Sequence, residues 1–230
     1  MPLTKSKGDM YPWVSHKHTH IGGECPHKCS YCYVDSRRFG RPARYRGEVR
    51  LIAAEFEVKY GERKTIFIEH MNDLWAEEIA SAAILKVLEH CAKWPKNTYV
   101  FQTKNPARYM QFLSRIPEGS MLGCTIETNR VIPLEVSRAP SPYFRVDAMG
   151  SLPDTWRTFV TLEPIMDFDV DVLVEWLERI RPEFVNIGAD SQGHHLPEPP
   201  AEKVRALLSR LSADGIEVRE KHNLGRILGA

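Results

Sequence analysis

The sequence predicts an α/β fold, a partial (β/α)6, TIM-like barrel of parallel strands. β-like runs alternate with segments of helical period, which argues for parallel strands joined by helical crossovers. Several runs are almost continuously apolar and β-branched, as expected where helices cover one face of a sheet and side chains fill the other. Six or seven such units fall short of the eight that close a full barrel.

Residues 11–20 alternate and read as the first strand. TIFIE at 65–69, TYVFQT at 98–103, MLGCTIE at 121–127, TFVTLE at 158–163 and FVNIG at 184–188 follow, with a further strand at 216–220. Between them, residues 76–92, 106–115, 170–181 and 201–213 repeat their apolar positions at helical period. The proline-rich stretches RAPSPY at 138–143 and HHLPEPP at 194–200 read as loops too short to separate domains. The expectation is one domain over residues 1–230, with a short N-terminal extension and a C-terminal helix and strand added to the barrel.

Composition narrows the function classes. With 43% hydrophobic and 27% charged residues in 230, the chain can bury a core, which excludes a disordered or fibrous protein. Lysine plus arginine number 31 against 30 acidic residues, so any electrostatic attraction to a partner must be local. The absence of a long apolar run or of an apolar stretch after the first lysines leads to the expectation of a cytoplasmic protein with no membrane partner. Five cysteines are too few for a disulfide scaffold of this length, and their odd number fits a reducing compartment.

Three of the five fall in GGECPHKCSYCYVD, directly after the first strand, with Cys25, Cys29 and Cys32 spaced C-x3-C-x2-C. Thiolates so spaced can face one metal centre from a tight loop. A structural zinc site wants a fourth ligand and usually a second ligand pair, which is missing here, although His27 in the loop or His16, His18 and His20 before it could complete a Cys3His set. A four-iron cluster with three cysteine ligands keeps one iron open to a substrate or cosubstrate. Cys91 and Cys124 stand alone in apolar surroundings and read as small core residues.

Polar residues gather where the strands end, at Glu69 and His70, 102–105, 127–129, Glu163 and 190–192. In parallel β/α folds the loops at that end converge on the ligand site, so five coincident polar ends point to a shared one. The run SRRFGRPARYRGEVR at 36–50 interleaves arginine with Phe39 and Tyr45, a pattern suited to phosphate contacts and base stacking through Arg37, Arg38, Arg41, Arg44 and Arg46. His16, His18 and His20 share one face of a strand. On the barrel interior they would line the cavity and could bind substrate or a second metal; on the outside they are polar residues of an edge strand.

The cysteine loop resembles the signature of the radical S-adenosylmethionine (SAM) superfamily, C-x3-C-x-aromatic-C, with Tyr31 at the aromatic position. The resemblance implies a partial barrel of radical SAM type, a [4Fe-4S] cluster on Cys25, Cys29 and Cys32, and SAM chelating the open iron. It further implies reductive cleavage of SAM to a 5′-deoxyadenosyl radical that abstracts hydrogen from a substrate, with the electron supplied by a donor such as flavodoxin or ferredoxin. Family members bind the SAM amino group with a motif after the second strand, often Gly-Gly-Glu; EHMND stands there, making Glu69, Asn72 and Asp73 the acceptors. Glu127 or Asn129 in CTIETN matches the ribose contact, and Arg145 or Lys104 the group that reaches the SAM carboxylate. TKNPARY, LGCTIETN, TLEPIMDF and NIGADSQG are similar to a compact group of phage and bacterial members of the superfamily, and the cysteine-loop pattern is distantly similar to spore photoproduct lyases.

The expected function is therefore a radical SAM enzyme acting on an unidentified substrate, with a nucleotide or nucleic acid suggested by the arginine run. A second class is a nucleic-acid-binding module with a structural Cys3His zinc site or a redox-sensing iron–sulfur cluster.

Overall fold

The computed structural model describes residues 3–7, 11–35 and 42–229. Eight strands form the main sheet, in the spatial order β1 (Thr4–Lys5), β2 (His16–His18), β5 (Thr65–Ile68), β6 (Thr98–Thr103), β7 (Met121–Thr125), β8 (Arg157–Leu162), β9 (Phe184–Ile187) and β10 (Glu217–Glu220). From β2 to β10 each neighbour pair is parallel, while β1 runs antiparallel to β2. A separate antiparallel pair joins β3 (Ile21–Gly22) to β4 (Arg50–Leu51) beside the cysteine loop. β1 and β10 lie at opposite ends of the order, so the sheet is the expected open, partial barrel.

Alternation along the strands decides what faces where. Ile66 and Ile68, Tyr99 and Phe101, Leu122 and Cys124, Val160 and Leu162, and Val185 and Ile187 enter one large core under the helices. That core is closed by α1 (Ser81–Ala92), α2 (Pro142–Gly150), α3 (Val170–Ile180) and α4 (Ala201–Ala213), with a last short helix, α5 (Gly225–Leu228), following β10. The intervening residues Phe67, Val100, Met121, Phe159 and Phe184 point to the concave side and form a second, smaller core with Tyr11 and Val14. Gly123 is glycine for this core: a Cβ there would lie 2.1 Å from Cζ of Phe159.

The first expected strand is shorter than residues 11–20. Only His16–His18 pair in the sheet, and the preceding segment crosses the concave face instead. Tyr11 stacks on Trp13 at 5.2 Å, and Trp13 meets Phe159 and Phe184 edge-on at 5.5 and 5.3 Å. This aromatic plug is the barrel floor. Above it lies a polar tier in which the Tyr11 hydroxyl donates to Gln102 at 2.8 Å and Gln102 donates to Thr125 at 2.8 Å.

Three further expectations also change. The helix expected from residue 76 begins at Ser81, because side chains capture the carbonyls that a helix would use: Arg108 donates to Glu77 O and Ile79 O, and Asn105 to Trp75 O. Residues 106–115 form a 3-10 helix over Pro106–Gln111, with the Tyr109 hydroxyl anchored on the carbonyls of Phe101 and Gly123. The proline-rich stretch at 138–143 runs into α2: Pro142 occupies its first turn, where the missing N–H has no helical partner to lose. No helix among the described residues is long and apolar enough to cross a membrane.

Candidate functional site

The cysteine loop leaves β3 through Gly22 and Gly23. Gly23 adopts φ +90°, and a Cβ there would fall 2.1 Å from Glu48 O, so the backbone of residues 47–49 can approach only because the position is glycine. Further along, Ser30 N–H donates to Val136 O at 2.9 Å, Arg138 N–H to His27 O at 2.8 Å, and Ser137 Oγ lies 3.2 Å from Cys29 Sγ. Cys25, Cys29 and Cys32 are free, half-buried thiols held in this brace. Burial pushes the Cys25 and Cys32 thiols up.

All three line a cavity of about 720 Å³ at the C-terminal ends of the parallel strands. Gln102, Thr125 and Thr161 of the polar tier face it from below, and Glu163, Asp190 and Lys221 stand on the wall formed by β8–β10. Of the polar strand ends, Glu69, His70, Gln102, Lys104, Glu163 and Asp190 reach the cavity; Asn105, Glu127 and Asn129 do not line it.

The expected SAM contacts separate into two groups. Tyr31 and Lys104 line the cavity, with the Lys104 ammonium 5.2 Å from the Tyr31 ring centre. Glu127 stands behind them, fully buried: Tyr31 donates its hydroxyl proton to Oε1, Lys104 Nζ lies 2.5 Å from Oε1, and Arg145 Nη1 2.7 Å from Oε2. Burial alone would raise the Glu127 carboxyl, but Arg145 and Lys104 hold it at about 2. Arg145 also donates to Pro140 O and Thr125 O and is itself 1% exposed. Glu127 and Arg145 thus form an ionic brace behind the wall, joined to the cavity through Tyr31 and Lys104. The Asn129 amide exchanges hydrogen bonds with the Asp169 backbone at 2.8 and 3.0 Å, outside the cavity lining.

After β5 the three expected acceptors are likewise engaged within the protein. Glu69, in a left-handed conformation at φ 62°, accepts from the His20 and Ile21 N–H groups at 2.7 and 3.2 Å and from the His20 ring at 2.7 Å. Asn72 donates to Gly23 O at 3.1 Å and accepts from Asp73 N–H at 2.9 Å. Asp73 accepts from the Thr103 hydroxyl, from the Trp75 and Lys104 N–H groups and from His27 Nε2, at 2.8 to 2.9 Å for the shortest of each. These residues tie the cysteine loop to the ends of β5 and β6.

His27 is thus committed through Nε2 to Asp73, and His18 and His20 lie on the helix-covered side of the sheet, outside the cavity lining. His18 and His20 are therefore not placed to complete a Cys3His zinc set with the cysteine loop. Of the arginine run, Arg37, Arg38 and Arg41 fall outside the described residues, and Arg44 turns inward to Glu55 at 2.6 Å and Thr19 O at 2.6 Å, which removes it from an exposed phosphate-binding face. Tyr11, Thr125, Thr161 and Lys221 are cavity residues that sequence reasoning missed. Counting back by two from Glu163 finds Thr161, and the same step from Glu127 finds Thr125; Tyr11 has no such signal, since it arrives from a loop.

Residues 17–207 match the model of DUF5131, described as a protein family of unknown function. The chain belongs to this family. No curated protein matches it. Among solved structures, a spore photoproduct lyase variant with bound AdoMet and dinucleoside spore photoproduct superposes on this DUF5131 chain with a TM-score of 0.58 at 14% identity, covering 92% of this chain and 65% of the lyase. Streptococcus suis SuiB bound to S-adenosylmethionine gives a TM-score of 0.59 at 10% identity, covering 92% of this chain and 51% of SuiB. At such identities the likeness is one of fold, the partial barrel of radical SAM type, and the chain spans less than two thirds of the length of either.

Proposed function

We propose that this chain is a radical SAM enzyme, acting as one domain. The observation that carries the reading is the convergence of three free thiols, in the spacing C-x3-C-x-aromatic-C, on a cavity at the strand ends of this fold. The soft sulfur donors suit an iron–sulfur cluster, and three of them would hold a [4Fe-4S] cluster with one iron left for SAM. The chemistry such a pair supplies when bound is one-electron cleavage of the sulfonium, giving methionine and a 5′-deoxyadenosyl radical that abstracts hydrogen.

The chain's own residues bind, orient and exclude water. Lys104, kept protonated against burial by Glu127, presents an ammonium suited to the SAM carboxylate, and Tyr31 offers a ring face. Glu69, Asn72 and Asp73 fix the loop that carries the thiols, and Arg145 fixes Glu127. The plug of Tyr11, Trp13 and Phe159 keeps the floor dry, which protects a reactive radical from quenching. A nucleotide or nucleic-acid component is the substrate class that fits the remaining wall, where Tyr33, Tyr45 and Phe67 offer stacking faces and Lys17 and Lys221 offer cations. The dinucleoside bound by the lyase of similar fold supports the same class. Flavodoxin or ferredoxin would supply the electron, and the free thiols accord with the cytoplasm.

The test is anaerobic reconstitution with iron and sulfide, followed by dithionite reduction in the presence of SAM and detection of 5′-deoxyadenosine by mass spectrometry. Product is expected from the wild type and is expected to vanish, together with the cluster absorbance, in Cys29→Ala. A protein that binds no iron and leaves SAM intact would refute the reading.

A further inference from the structure

His18, His20 and His90 meet on the helix-covered side of the sheet, where β2 and the chain just after it face α1. Their ligand atoms lie within 4.8 Å of one another, and the residues are 5%, 0% and 2% exposed. We propose that these three histidines bind a divalent metal ion of the zinc type, at a site separate from the cysteine cavity.

The hydrogen bonds around the rings carry the argument. His90 Nε2 lies 3.0 Å from Val58 O, and a carbonyl can only accept, so the proton of a neutral His90 is on Nε2 and its Nδ1 bears a lone pair. His20 Nδ1 lies 2.7 Å from Glu69 Oε1, and both Glu69 oxygens also accept backbone N–H groups, so with Glu69 as the acceptor the proton of His20 is on Nδ1. His20 Nε2 then bears a lone pair as well. These two lone-pair nitrogens face each other at 2.8 Å. The Tyr60 hydroxyl, 2.9 Å from His20 Nε2, has one proton and can answer only one of them. A metal ion between the rings satisfies both.

The surroundings are those of a metal site. Each ring has its other side fixed by a carboxylate or carbonyl, the outer partners that hold metal-binding imidazoles in place: Glu69 for His20, Val58 O for His90, and Glu55 O at 3.2 Å for His18. The Glu69 carboxylate and that of Glu55, 3.6 Å from His18 Nε2, offset the charge of a dication, and Phe56 and Tyr60 close the site from water. Three imidazoles with the Tyr60 hydroxyl as fourth donor match a four-coordinate borderline metal. At metal–nitrogen distances of about 2.0–2.1 Å, tetrahedral ligands stand about 3.3 Å apart, so the His20–His90 pair needs to open by only about half an ångström.

Elemental analysis of the full, cluster-loaded chain tests this. About one zinc per chain is expected beyond the iron, retained through dialysis against EDTA because the site is sealed. His90→Gln is expected to lower zinc at least tenfold with iron unchanged, and Cys29→Ala to lose iron with zinc unchanged. Should His90→Gln not fold, cobalt-substituted wild type decides: visible d–d bands without thiolate charge transfer support the histidine site. Absence of zinc, or zinc that follows Cys29 rather than His90, overturns the proposal; absence would mean that a protonated Glu69 supplies the proton shared by His20 and His90.

Discussion

Glu69 and Glu127 both stand just beyond strands of the parallel sheet, β5 and β7, and both are almost completely buried, yet they are held in opposite ways. At Glu69 burial dominates the opposing backbone hydrogen bonds from His20 and Ile21 and pushes the carboxyl up to about 7. At Glu127 the cost of burial is outweighed by Arg145 and Lys104. A charge taken out of water loses several kcal/mol of solvation, and N–H donors alone recover less of it than cations in contact. The two halves of the cavity rim are therefore set differently, the cysteine side by hydrogen bonds to backbone and the far side by full charges.

Glu127→Gln should break the comparison most severely. It leaves Lys104 and Arg145 buried without their counter-charge, and a loss of about 3–5 kcal/mol is expected in urea unfolding. A loss below about 1 kcal/mol would show that charge does not hold this side of the rim.

The acid limb of stability sharpens the same point. The Glu127 carboxyl is at about 2 in the fold against an ordinary 4.5, so its contribution is present above pH 4.5 and is lost as the pH falls through 2. That shift corresponds to roughly 3 kcal/mol, and the stability gap between wild type and Glu127→Gln should narrow over this window. An unchanged gap would contradict the ionised brace.

Glu69→Gln should do least. It keeps one acceptor for the backbone and removes a charge that burial already disfavours, so a loss of about 1–2 kcal/mol is expected at neutral pH. A loss equal to that of Glu127→Gln would erase the distinction between the two sides.

Much of the fold was legible because its signals are local. The strands announce themselves as apolar, β-branched runs, α3 and α4 as helical periods, and the cysteine loop as a spacing. What stayed hidden depends on partners far apart in the chain. Lys104, Glu127 and Arg145 come from the ends of β6 and β7 and from α2, and nothing in their sequence positions shows that they satisfy one another rather than a ligand. The helix expected from residue 76 was displaced by Asn105 and Arg108 for the same reason. The histidine pattern of the first strand was visible, but its face was not: His16 stays with Ser15, whereas His18 and His20 find His90 from α1.

The aromatic floor joins parts of the chain that are unusually distant in sequence. The Tyr11 hydroxyl meets Thr161 across 150 residues, and Arg219 of β10 lies over the Phe184 ring that Trp13 also touches. Loop-closure entropy opposes such contacts until the neighbouring strands have already paired. The segment that carries Tyr11 and Trp13 is thus expected to be seated only after the strands it covers have paired, so that the seal beneath the cavity depends on a sheet already formed.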